Sequence, residues 1–221
     1  VVAWDAPGHG DAEPLSVPVN WWDFAKHALD VVSELSGPVV GVGHSMGGAA
    51  IAMAELLAPG TFSGLVLIEP VIFPPPFRRM EQFPLVEGAL RRKDRFTDPD
   101  EAIEQYRKPF ATWDRRALEA YARGGLRESD GVWQLKCRPE AEAETYRGAT
   151  AHGLYGRLDE LNLPVLVLAG EHSTTFNAAY IAEITALIPG ARYEIVPDAS
   201  HFLPMERPDL VAARVVSFLA S

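Results

Sequence analysis

Residues 39–48 read VVGVGHSMGG and run straight into Ala49-Ala50-Ile51-Ala52-Met53-Ala54, so an apolar β-type run and a helical run of small residues meet at one serine. Ser45, at that junction, must turn sharply between strand and helix. Gly43 and Gly47 on either side let the two elements approach closely. The turn pushes the Ser45 side chain out beyond the strand's C-terminal end. It also places the Met46 N–H in the first helical turn, where it has no intrahelical acceptor and faces the positive end of the helix. A chain built this way is committed to strand–helix alternation.

The alternation continues. Asn20 is placed to cap a helix in which Trp21, Phe24, Ala25, Ala28, Val32 and Leu35 recur at helical spacing, and Gly37-Pro38 ends it. Residues 64–68 (GLVLI), 164–169 (PVLVLA) and 193–196 (YEIV) read as strands, the first two apolar throughout, as in a sheet covered on both faces. Helices are expected around Ile181, Ile184, Leu187 and Ile188, and around Leu210, Val211, Val215 and Phe218. Val1-Val2-Ala3-Trp4-Asp5 also reads as a strand, followed by turn residues Ala6-Pro7-Gly8-His9-Gly10. The fold class is therefore α/β, a doubly wound and mostly parallel sheet. Between Ile68 and Pro164 the alternation stops. That stretch is too long for a structureless loop, so residues 71–160 are expected to form an inserted helical cap, with 1–70 and 161–221 as the core. Arg91-Arg92-Lys93 within it reads as a solvated face.

Gly43-His44-Ser45-Met46-Gly47 closely resembles the nucleophile elbow of the α/β-hydrolases, and Asp5-Ala6-Pro7-Gly8-His9-Gly10 resembles the D-x-x-G-H-G loop that many of them carry. The resemblance implies Ser45 as nucleophile, the Met46 N–H as an oxyanion donor, and a cap over the active site. A serine hydroxyl needs a base within hydrogen-bond reach, and that base needs an acid. Of six histidines, His201 follows a strand's C-terminal edge shortly before the last helix, in the Ser-then-His order of the family. His44 adjoins Ser45 on the opposite side of the elbow and suits a supporting role or a substrate contact. Phe73, Trp113 and Phe202 are further candidate substrate contacts, although aromatic residues in a cap serve mainly as its core.

The acid departs from the common pattern, because the position where many relatives carry aspartate, aligned on Gly170, is Ser173. Glu69 is the leading candidate. It ends the apolar strand 64–68 at the edge where Ser45 emerges, and certain haloalkane dehalogenases similarly place a glutamate acid there. A charge ending an apolar strand costs several kcal/mol to desolvate unless paired, and His201 would pair it. Glu171 is the second candidate and Asp198 a third, and a site without a functional acid is the remaining alternative.

With 221 residues, 48% of them hydrophobic, the chain can bury a sizeable core, and no segment approaches the roughly 20 apolar residues of a membrane span. A formal charge of −10 argues against nucleic acid and anionic lipid, leaving a small-molecule substrate as the expected partner. The single cysteine, Cys137, has no metal-spaced companions, so neither metal nor cofactor is expected. A cytoplasmic setting is favoured, and the oligomeric state is not legible. If residues 1–5 are the family's fourth strand, the strand that should separate them from residues 39–42, and the second oxyanion donor with it, are missing. The expectation is a fragment of a longer protein. The activity expected is hydrolysis of a carboxylic ester through an acyl-enzyme, with C–C bond hydrolysis or perhydrolysis on the same residues as alternatives. A non-catalytic binding protein that keeps the fold is the competing class.

Overall fold

A computed structural model of the chain describes residues 1–220. In chain order its elements are α1 (Trp21–Ser33), β1 (Val40–His44), α2 (Met46–Leu57), β2 (Gly64–Ile68), α3 (Pro84–Leu90), β3 (Arg95–Phe96), α4 (Pro99–Arg107), α5 (Arg115–Gly124), β4 (Leu126–Ser129), β5 (Val132–Leu135), α6 (Pro139–Gly148), a 3-10 turn (Leu154–Glu160), β6 (Val165–Gly170), α7 (Ala178–Ala186), β7 (Arg192–Val196), α8 (Leu203–Glu206) and α9 (Pro208–Leu219). They form two compact units. A sheet unit comprises Trp21–Arg78 and residues 149–220, and a cap unit comprises Val1–Asn20 and Arg79–Gly148.

The sheet unit holds four parallel strands in the order β1-β2-β6-β7. Every residue of β2 and β6 is buried, which requires cover on both faces. On one face Val66, Ile68, Leu166, Leu168 and Val196 pack against Leu203 of α8 and Val211 and Phe218 of α9. The alternate residues Leu65, Leu67, Val165 and Val167 are equally buried, and α2 and α7, packed along these strands, cover them. Each such side chain contributes roughly 1.5–3 kcal/mol. The helix α1 buries Trp21, Phe24, Ala25, Ala28 and Val32, the stripe that its spacing predicts. Glu55 at the end of α2 is buried too, and its carboxylate accepts Gly60 N–H at 2.7 Å and Phe62 N–H at 3.0 Å, closing the loop into β2.

The cap unit departs from the sequence expectation in three ways. It is not helical throughout, because β3, β5 and β4 form a three-stranded antiparallel sheet in that order. Its β4–β5 hairpin turns at Asp130-Gly131, both with positive φ (52° and 74°), as a two-residue primed turn requires. Second, Val1–Asp5 forms no strand. The segment belongs to the cap unit, Val1 and Val2 are exposed, and the Asp5 carboxylate accepts Asp11 N–H at 2.8 Å. An apolar run becomes a strand only where a sheet edge and a buried face receive it. The unit boundaries accordingly fall at 78/79 and 148/149, with residues 1–20 grouped with the cap instead of the sheet. Third, Arg92 is not solvated: its guanidinium forms a two-oxygen pair with Glu142 (2.9 and 3.1 Å) and donates to the hydroxyls of Tyr106 and Tyr121. No helix among the described residues is long and apolar enough to cross a membrane.

Candidate active site

Two residues with left-handed backbone stand side by side at the C-terminal edge of the sheet. Ser45, between β1 and α2, has φ 54°, and Glu69, directly after β2, has φ 47°. The register pairs His44 with Ile68, so the two emerge together. Both are held by the neighbouring strand: Ser45 N–H donates to the Ile68 carbonyl at 2.9 Å and Glu69 N–H to that of Leu168 at 2.8 Å. A Cβ at Gly43 would fall on the backbone of Gly47 and Gly48, which is why the elbow needs glycine there. The Ser45 hydroxyl makes no capping bond and stays available.

His201 reaches the same edge from the loop between β7 and α8. Its Nδ1 lies 3.1 Å from Glu69 Oε2 and its Nε2 lies 3.2 Å from Ser45 Oγ. A carboxylate only accepts, so the ring proton sits on Nδ1, and Nε2 is left to accept from Ser45 Oγ–H. Glu69 is fully buried, and its charge is met by three donors: Gly170 N–H on Oε1 at 2.8 Å, and Ser173 Oγ–H at 2.7 Å with His201 Nδ1–H on Oε2. The His201 loop is fixed as well. His44 Nε2 lies 2.8 Å from the His201 carbonyl, and Glu206 accepts from Ser200 N–H at 2.7 Å and from its hydroxyl at 2.9 Å.

Ser45, His201 and Glu69 thus stand in one continuous hydrogen-bond chain, and the sequence profile of the alpha/beta hydrolase family matches residues 1–214. The chain belongs to the alpha/beta hydrolase family. Among its relatives, 2-(acetamidomethylene)succinate hydrolase of Mesorhizobium japonicum is 25% identical over 222 residues, covering 99% of this chain and 77% of the relative. An abhydrolase domain-containing protein of Alternaria alternata is 27% identical over 223 residues, 82% of this chain and 83% of the relative. Among solved structures, E-2-(acetamidomethylene)succinate hydrolase superposes with a TM-score of 0.82 at 22% identity, over 98% of this chain and 80% of that one. An esterase of Mycobacterium tuberculosis gives 0.73 at 20% identity, over 98% and 74%. The fold of the sheet unit is thus that of the family.

In this hydrolase the other candidates separate. Glu171 is exposed and accepts Asp198 N–H at 3.2 Å; the carboxylate on the His201 ring is that of Glu69. Asp198, also exposed, stands 3.8 Å from His172 Nε2. Phe202 lies with its ring 5.6 Å from that of His201, and Phe73 packs on Phe176, itself 6.2 Å from His201. Trp113 is buried in an aromatic cluster of the cap unit, stacked on Phe110 at 4.1 Å and edge-on to Tyr121 at 5.3 Å. Met46 opens α2, where its N–H has no acceptor within the helix. Among the described residues, Glu171, His172 and Asp198 could together hold a metal ion, and all three are exposed. The supports missed by the sequence analysis are Ser173, the Gly170 N–H and the Ser200–Glu206 pair. The signal for the first was a serine at the position where the family resemblance leads to an expected aspartate.

A glycine ends β6 for steric reasons, since a Cβ at Gly170 would collide with the carbonyls of Ala199 and Ser200, just ahead of His201. Gly170→Ala is therefore expected to lower stability by at least about 2 kcal/mol and to displace His201, read as a lower urea midpoint with reduced turnover.

Two histidines are held neutral. Burial, and then the neighbouring His201, push His44 down to about 4, and burial pushes His152 down to about 4. His152 stacks on Trp21 at 5.1 Å, and its Nδ1 accepts Leu154 N–H at 3.2 Å. Because the folded values lie below the ordinary 6.5, the unfolded chain binds more protons between pH 6.5 and 4. Their contribution is complete above that window and is lost as pH falls through it, by at most about 3 kcal/mol per histidine. Urea midpoints measured from pH 7.5 down to 4.5 should fall accordingly, and His152→Gln should flatten the slope.

Proposed function

We propose that the chain hydrolyses a carboxylic ester through an acyl-enzyme on Ser45. The continuous Glu69–His201–Ser45 hydrogen-bond chain carries this reading. Ser45 Oγ attacks the ester carbonyl as its proton passes to His201 Nε2. The tetrahedral oxyanion lies against the Met46 N–H at the start of α2. The C–O bond then breaks, and the alcohol leaves with the proton from Nε2. Water, deprotonated by the same nitrogen, attacks the acyl-enzyme, and the carboxylic acid departs from a restored Ser45. Glu69 keeps the imidazole in the productive tautomer and balances its transient charge. Phe176 and Phe202 flank the His201 ring and Phe73 packs on Phe176, an apolar setting that favours a small or moderately apolar acyl group. The names of the relatives, a hydrolase and an esterase, support this class of chemistry.

A fluorophosphonate, which reacts with an activated serine, tests the reading alongside a series of p-nitrophenyl esters of increasing acyl length. Stoichiometric labelling at Ser45, together with turnover, is the expected result. A chain that is folded, unlabelled and inert toward every ester would instead be a binding protein on this scaffold.

A further inference from the structure

The hydroxyl of Ser173 makes two hydrogen bonds whose direction is fixed. It lies 3.1 Å from Phe176 N and 2.7 Å from Glu69 Oε2. A backbone N–H can only donate, so the single hydroxyl proton is left for the carboxylate. Oε2 therefore serves two donors at once, the Ser173 hydroxyl and the His201 ring. Ser173 is buried and closes a tight turn, its own N–H donating to the Gly170 carbonyl at 3.1 Å. That same turn grips both sides of the relay. Gly170 N–H and Ser173 Oγ–H hold the two oxygens of Glu69, while Glu171 N–H and His172 N–H donate to the carbonyls of Val196 and Ala199, on the segment that leads into His201.

We infer that Ser173 is a positioning residue: its hydroxyl orients the Glu69 carboxylate and shares that carboxylate's charge with His201, setting how strongly the acid pulls on the base. This rests on the roles proposed above for Ser45, His201 and Glu69. Without the hydroxyl, Oε2 keeps His201 as its one remaining donor. The less compensated charge then favours the protonated, inactive imidazole, so the acidic limb of the rate profile moves to higher pH. The other groups around His201 leave this effect to Glu69. His44 is neutral over the range, Phe176 and Phe202 are apolar, and Glu206 acts on Ser200.

The test compares wild type, Ser173→Ala and Ser173→Thr, with thermal melts as a check on folding. With p-nitrophenyl acetate, S173A should lose about tenfold in kcat with KM within about twofold, and its acidic limb should rise by about 0.5–1 pH unit. S173T, which keeps the hydroxyl, should return both toward wild type. A lowered melting temperature with an unmoved limb would mean that the serine is merely structural, and that outcome overturns the inference. A well-folded S173T that behaves like S173A overturns it too. Proton NMR of the His201 Nδ1–H, assigned by its loss in Glu69→Gln, separates this inference from the catalytic reading because it needs no turnover. A shift in S173A that S173T reverses supports the positioning contact even in a chain that a fluorophosphonate fails to label. A resonance indifferent to S173A refutes the contact in an active enzyme.

Discussion

Ser45→Ala is expected to abolish fluorophosphonate labelling and to cut ester turnover by about 10⁴- to 10⁶-fold while leaving the fold intact. The oxygen that is lost meets one side chain, His201 Nε2, and supports no helix cap. The backbone bonds of residue 45, donating to Ile68 and accepting from Ala49 and Val71, do not depend on the side chain. Ser45→Gly makes the companion measurement. At φ 54° a Cβ is strained, so the glycine variant should be equally inactive yet more stable by about 1 kcal/mol than the alanine one. Retention of more than a few per cent of wild-type turnover in S45A would move the nucleophile elsewhere.

Glu69→Gln is expected to lower kcat by about 10³- to 10⁴-fold, whereas Glu171→Gln should stay within about twofold of wild type. The contrast rests on surroundings, since both residues follow apolar strands. Glu69 is fully buried and receives three donors, one of them His201; Glu171 is exposed and accepts the Asp198 amide. Glutamine at 69 offers a single acceptor oxygen where three donors converge, so its amide hydrogens confront a donor. That mismatch should also lower stability by about 1–3 kcal/mol, which makes the melting temperature an independent readout. Wild-type activity in E69Q with loss in E171Q would reverse the assignment of the acid.

The parts of this site that were legible in the sequence are those encoded over short distances. The elbow is a local steric demand, written in Gly43 and Ser45; Gly47, which the sequence analysis also took as needed for close approach, has open space where a Cβ would stand. Glu69 was legible because a carboxylate ending an all-apolar strand needs a partner, and His201 because it follows a strand close to the last helix. Ser173 was not. Its bond to Glu69 spans 104 residues, and a serine announces no partner through spacing. The β4–β5 hairpin escaped for a different reason. Asp130-Gly131 is a turn signal, yet the flanking strands carry Arg127, Glu128 and Gln134, which drown the period-two pattern. Val1–Asp5 misled in the opposite direction, since apolar composition says nothing of whether a strand edge is there to receive it. Arg92 reads as a surface charge until Tyr106, Tyr121 and Glu142 are brought around it by the cap fold.

The strand that leads into Ser45 is also the outermost one, with β2 as its single ladder partner among the described residues. Ser45 N–H faces β2, so by alternation the amides of Val42 and His44 face the other way. In amide hydrogen exchange these two should lose protection well before Leu67 or Val167 in the strands behind them. An opening confined to β1 would carry Ser45 away from His201 while Glu69 and His201 stayed folded. On heating, turnover would then fade through local fraying ahead of the cooperative melt, and inactivation would be reversible for as long as the strands behind it hold.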